Sequence, residues 1–141
     1  MRFDAKLPEE VLYKDLPDPH LRFDQITNRF VLLKDLVTPE ITVPAGEYTD
    51  GASVPKMLSN IVSPYDRHMV ACIVHDYMYR KALVLPGYED DPKKGADDLF
   101  AVNLMRCNHL FGFEFTLITP MVTAVRMFGR GAYGGECAYA V

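Results

Sequence analysis

The segment Val74-His75-Asp76-Tyr77-Met78-Tyr79-Arg80 carries the side chains best suited to chemistry. At helical spacing His75 and Tyr79 share a face, with Cys72 and His68 further back along it. Asp76 lies about 100° around the axis, so an imidazole and a carboxylate occupy adjoining faces. The preceding run, Met69-Val70-Ala71-Cys72-Ile73-Val74, is apolar and draws both groups toward a core. A buried carboxylate needs a cation or strong donors. A buried neutral imidazole needs a partner that fixes one ring nitrogen. Asp97 is in phase with Phe100, Ala101, Leu104 and Met105, the apolar stripe of its own segment, and Asp98 lies beside that stripe. A carboxylate there needs a partner, and His75 is the candidate. A histidine held by an aspartate is the orienting half of a general-base dyad. No Ser or Cys nucleophile is fixed by spacing, so such a base would activate water.

A second segment, Tyr48-Thr49-Asp50-Gly51-Ala52-Ser53-Val54-Pro55, resembles a cation loop. Asp50 offers a carboxylate, and Gly51 lets the backbone turn its carbonyl inward. Asp50, the Gly51 carbonyl and Asp76 would form an oxygen-rich site suited to Ca2+. Zinc fits less well, because His75 has no second histidine at ligand spacing. Each feature also has a plain structural reading. Asp-Gly is a common turn dipeptide, a His beside an Asp is often a structural hydrogen bond, and an Asp on a core stripe can simply hold a buried Arg or cap a loop.

The elements that must position these groups divide the chain. Residues 29–34 and 40–44 read as strands, joined as a hairpin through 35–39. Tyr48-Thr49 continues as a short strand, and residues 11–13 and 21–23 add candidate short strands. A Gly/Pro-punctuated loop spans 50–64. Asp66 can cap a helix that ends near 82–84, before Pro86-Gly87. A second helix begins near Pro92, with Pro tolerated in the first turn, and ends near Phe111-Gly112. A third runs from about 115 or 120 to Phe128, stopped by Gly129. The tail from Gly131 reads as irregular. The expected fold class is α+β: a small N-terminal antiparallel β-sheet, residues 1–56, followed by a three-helix part, residues 65–130, bearing the His-Asp motif.

Composition narrows the function classes. The 141 residues suffice for one hydrophobic core, so a single domain is expected. Hydrophobic residues make up 49% and charged residues 24%, a globular balance that argues against disorder. The net charge is −4 with no long basic run, which argues against nucleic acid as a partner. No stretch of 18 apolar residues is present, so no transmembrane segment is expected. The charged N-terminus has no apolar core of a signal peptide. With no export signal expected, the cytoplasm is the expected place of synthesis. Three cysteines, Cys72, Cys107 and Cys137, at wide spacing argue for buried free thiols rather than a disulfide framework.

The ordered strings D-G-A-S-V-P, H-D-Y-M-Y-R and A-D-D-L-F resemble a family of small phage and prophage proteins catalogued as a domain of unknown function, over roughly residues 25 to 130. A more distant resemblance is to secreted and prokaryotic phospholipase A2, which carries a calcium loop, then C-x-x-H-D-x-x-Y on one helix, then an Asp on the antiparallel helix. Residues 72–79 fit that helix motif, Asp97-Asp98-Leu99-Phe100 resembles the second helix, and residues 124–129 resemble the closing helix of the prokaryotic branch. The resemblance implies a phospholipase A2-like helical core. It implies that His75 takes a proton from water, that Asp97 orients it, and that Tyr79 hydrogen-bonds the pair. It implies that Asp76, Asp50 and the Gly51 carbonyl bind Ca2+, which would polarise an ester carbonyl. Cys72 and Cys107 could form one of that family's disulfides if their helices face each other. The remaining disulfides and the export signal are absent, and the N-terminal strands are foreign to that fold. The leading expectation is therefore a phage-borne calcium-dependent hydrolase acting on phospholipid or another host-envelope substrate. The alternative is a non-enzymatic virion or tail-associated module that binds other phage proteins. A metal-dependent peptidoglycan peptidase or amidase is a weaker third reading.

Overall fold

The computed structural model describes residues 2–3, 7–49 and 69–111. Within them the chain is α+β, with antiparallel strands in the N-terminal half and the two long helices after them. The order is α1 (Glu9–Leu12), β1 (Leu21–Asp24), β2 (Arg29–Leu32), β3 (Leu36–Val37), β4 (Thr42–Val43), β5 (Tyr48–Thr49), α2 (Met69–Lys81) and α3 (Pro92–Phe111). The expected third helix, near 115–128, lies outside the described residues, as does Cys137.

The strands pair differently from the expected 29–34/40–44 hairpin. β2 is the centre of a three-stranded sheet in the order β1-β2-β5. The β1–β2 register sets Phe23 against Phe30 and Asp24 against Arg29. The connecting turn explains this choice. The Asp24 carboxylate accepts the Ile26 N–H at 3.1 Å and the Thr27 hydroxyl at 2.9 Å, and Asn28 takes a left-handed φ of 58°. Asp and Asn close such turns at low cost. After Leu32 the chain bends, and β3 leaves to pair with β4 as a separate ribbon. Pro39 suits the turn of that ribbon, and Thr38 pins it through hydrogen bonds with Ile41. Residues 11–13, expected as a strand, instead end and follow the single turn α1. Pro8, fixed at φ −67°, precedes Glu9 and Glu10, which favour a helix start.

The two long helices follow their local signals. Asp91 caps α3, its carboxylate accepting the Lys94 N–H at 3.2 Å, and Pro92 takes the first helical position. At the end of α2, Ala82 adopts φ 48°, and the Leu83 N–H reaches back to the Met78 carbonyl at 3.1 Å. This is a Schellman-type end with Ala where Gly is usual. α2 and α3 pack against each other, α2 also covers β5 and β4, and α1 lies on α3. The core between them includes Ile73, Val74, Met78, Leu99, Phe100 and Leu104. Among the described residues, no helix is long and apolar enough to cross a membrane.

Candidate functional site

α2 and α3 bring His75, Tyr79 and Asp97 together. Nε2 of His75 lies 2.9 Å from Oδ1 of Asp97, and the Tyr79 hydroxyl donates to the same oxygen. Helical spacing places Tyr79 one turn beyond His75, and their rings meet at a centroid distance of 4.1 Å. Phe100, from the following turn of α3, packs on the imidazole at 4.7 Å. All three polar side chains are buried, with His75 only 1% exposed.

A lysine holds the other carboxylate oxygen. Nζ of Lys93 lies 2.7 Å from Oδ2 of Asp97, in an i, i+4 pair along α3. Burial alone would push the Asp97 carboxyl up, and it is the largest single influence. The hydrogen bonds and charge of His75, then the bonds from Lys93 and Tyr79, together outweigh it and hold the carboxyl below its ordinary value. An ionised Asp97 is acceptor-only, so the ring nitrogen that faces it, Nε2 of His75, carries a proton. In the neutral form of that tautomer the remaining lone pair is on Nδ1.

The neighbouring aspartates serve other partners. Asp98 accepts from the Tyr88 hydroxyl at 2.8 Å and from Lys94 at 2.7 Å. The Tyr88 hydroxyl in turn accepts the Phe3 N–H. Tyr88 is fully buried and lies against Gly95, where an added Cβ would come 2.9 Å from its ring. The i, i+4 spacing of Lys93-Lys94 and Asp97-Asp98 was visible in the sequence and signals both ion pairs.

Of the expected cation set only Asp76 is described; Asp50 and Gly51 lie outside the described residues. Oδ2 of Asp76 accepts the Thr49 hydroxyl at 3.1 Å and lies 3.6 Å from the Arg80 guanidinium. Among the described residues, no group of three or more His, Cys, Asp or Glu side chains could hold a metal ion. The α2 and α3 helices do face each other, but the buried Cys72 and Cys107 are not joined to each other, so the bridge suggested for them does not form.

One charged residue on α3 escaped the sequence reading. The Arg106 guanidinium is buried, paired through two nitrogens with Glu40 at 2.7 and 2.9 Å, and bonded to Asn103 and to the Val11 carbonyl. It ties α3 to α1 and to the β3–β4 turn. Its sequence position, three residues after Asn103 in a stretch, 95–107, that is buried nearly throughout, gave no sign of a partner 66 residues away.

No curated protein and no solved structure matches the chain. A family model does match, over residues 25–111, more than half of the chain and the span that carries β2, β5, α2 and α3. The chain belongs to the family described as protein of unknown function, DUF1353.

Proposed function

We propose that this protein is a hydrolase in which His75, oriented by Asp97, activates water for attack on an ester. The observation that carries the reading is the pairing of Nε2 of His75 with an Asp97 held in its ionised form. In that state Nδ1 accepts a proton from water, and Asp97 stabilises the imidazolium that results. Tyr79 and Lys93 fix the carboxylate, so the ring keeps one orientation through the step. The resemblance to phospholipase A2 suggests a lipid ester as substrate, and the resemblance to phage proteins suggests the host envelope as its source. The resemblance would also place Ca2+ at Asp50, the Gly51 carbonyl and Asp76, but the proposed reading rests on the base alone and needs no ion at Asp76. Asp76 already accepts the Thr49 hydroxyl and faces the Arg80 guanidinium, partners that suit a structural carboxylate more than a calcium ligand.

The test is release of free fatty acid from mixed phospholipid vesicles, followed for the wild type and for Asp97→Ala. A loss of about 100-fold or more in the variant is expected if the dyad supplies general-base catalysis. Equal rates would show that Asp97 does not orient a catalytic base.

A second reading has its own observation. His75, Tyr79 and Asp97 are each 1% exposed or less, as a network built to fix a helix pair would be. On that reading the protein is a non-enzymatic phage assembly or virion module, and Asp97→Ala lowers stability while no hydrolysis is found in either protein.

A further inference from the structure

Arg80 occupies an unusual position for a cation. It follows Asp76 by one turn of α2, and its side chain is only 5% exposed. Nη1 lies 3.6 Å from Oδ2 of Asp76, and Nη2 donates to Glu47 at 3.1 Å. The guanidinium carbon stands 4.2 Å from the centre of the Tyr48 ring, at stacking distance. Arg29 of β2 lies at the same distance from that ring. Both residues of β5 therefore serve this point: Tyr48 carries the guanidinium, and Thr49 donates its hydroxyl to Asp76.

We propose that Arg80 is the built-in cation of the Asp76 site, held between Asp76, Glu47 and the Tyr48 ring, so that no calcium ion binds at Asp76. The physical argument is one of charge and ligand number. Calcium takes six to eight oxygen ligands. Here one carboxylate oxygen already accepts a hydroxyl hydrogen bond and faces a guanidinium. A divalent ion at Asp76 would stand within a few ångströms of a nearly buried positive charge, where repulsion is weakly screened. Moving Arg80 aside would strip a shielded guanidinium of both carboxylates and its ring. Arg80 thereby acts as a positioning residue that locks α2 to β5 and holds Asp76, the neighbour of His75. This proposal rests on the Asp76 contacts and not on the dyad, and neither of its measurements uses hydrolysis.

Calorimetric titration of the wild-type protein with calcium chloride is the first test. No saturable binding is expected up to about 10 mM, beyond the roughly 1 mM of weak built calcium sites. The second test is a thermal-denaturation cycle of Arg80→Gln, Asp76→Asn and the double variant. Each single change should lower the melting midpoint by several degrees, and the double variant should lie well above the sum of the two losses. Arg80→Lys replaces Arg80→Gln if the latter does not fold, and should lose part of the stability, because a lysine cannot stack and fork as the guanidinium does. Saturable calcium binding by the wild type that Asp76→Asn abolishes would overturn the proposal. So would additive losses in the cycle.

Discussion

Nε2 of His75 and Oδ1 of Asp97 lie 2.9 Å apart across the α2–α3 interface, with the Tyr79 hydroxyl on the same oxygen and Lys93 on the other. The carboxylate thus receives three donors from two helices in a setting where an uncompensated charge would be expensive. The arrangement satisfies the buried charge and fixes the tautomer of the imidazole at once. Either role makes Asp97 a residue on which several properties depend.

The first is acid stability. Asp97 is held below its ordinary value of 3.8, burial opposing and the His75, Lys93 and Tyr79 bonds prevailing. A group with a depressed folded-state pKa contributes stability that is fully present above its unfolded value and is lost as pH falls through the folded value. The contribution of Asp97 should therefore be intact at about pH 5 and above, begin to fall near about pH 4, and be lost as the pH drops further through the depressed folded-state value. Urea midpoints measured from pH 7 to pH 2.5 should fall more steeply for the wild type than for Asp97→Asn in that acid range. Parallel curves would show that Asp97 gains nothing from its partners.

The Arg106–Glu40 pair makes a second prediction. Removing one member of a buried pair leaves the other charge without compensation, at a cost of about 3–5 kcal/mol. Glu40→Ala should reach that range in urea unfolding, because it leaves a guanidinium with no exposed surface. Replacing both with apolar residues, Arg106→Met with Glu40→Leu, should recover a large part of the loss. A loss below about 1 kcal/mol in the single variant would place the pair in the class of exposed ion pairs.

Two small substitutions should move stability in opposite directions from what helix propensity suggests. Gly95→Ala places a methyl in α3 and would add about 1 kcal/mol by propensity alone. The added Cβ would meet the buried Tyr88 ring at 2.9 Å, so a lower melting midpoint is expected. Ala82→Gly weakens propensity but relieves an Ala at φ 48°, and should stabilise by up to about 1 kcal/mol. Differential scanning calorimetry of the two variants decides both signs.

The thiols should be inert in the native state. Burial pushes the Cys107 thiol up to about 11, and Cys72 is buried beside the same interface. Alkylation at pH 8 followed by peptide mass spectrometry should find neither residue modified until denaturant is added. Modification of Cys107 in native protein would mean that the α2–α3 interface opens readily.

Local signals in the sequence located both long helices. The apolar run 69–74 and the Asp91-Pro92 start need no distant partner to be read. The pairing of His75 with Asp97 was legible for a related reason: a carboxylate on an apolar stripe needs a partner, and few candidates existed. Strand pairing was less legible. Residues 29–34 and 40–44 look like a hairpin at short range, but the Asp24–Asn28 turn offers β2 a better neighbour and β5 takes its other edge. Residues 11–13 misled because three residues carry no period, whereas Pro8 and two glutamates set a helical turn. Glu40, which pairs with Arg106, and Thr49, which bonds Asp76, come from segments 66 and 27 residues away, and no local pattern announces such contacts.

The role proposed for His75 is that of a general base. The most direct measurement is ester hydrolysis by wild type and His75→Gln, side by side, on phospholipid vesicles and a soluble ester, with both proteins shown folded by circular dichroism. Hydrolysis by the wild type that falls about 100-fold or more in the variant is the expected result. Equal hydrolysis by the two proteins, or none by the folded wild type on either substrate, would contradict it.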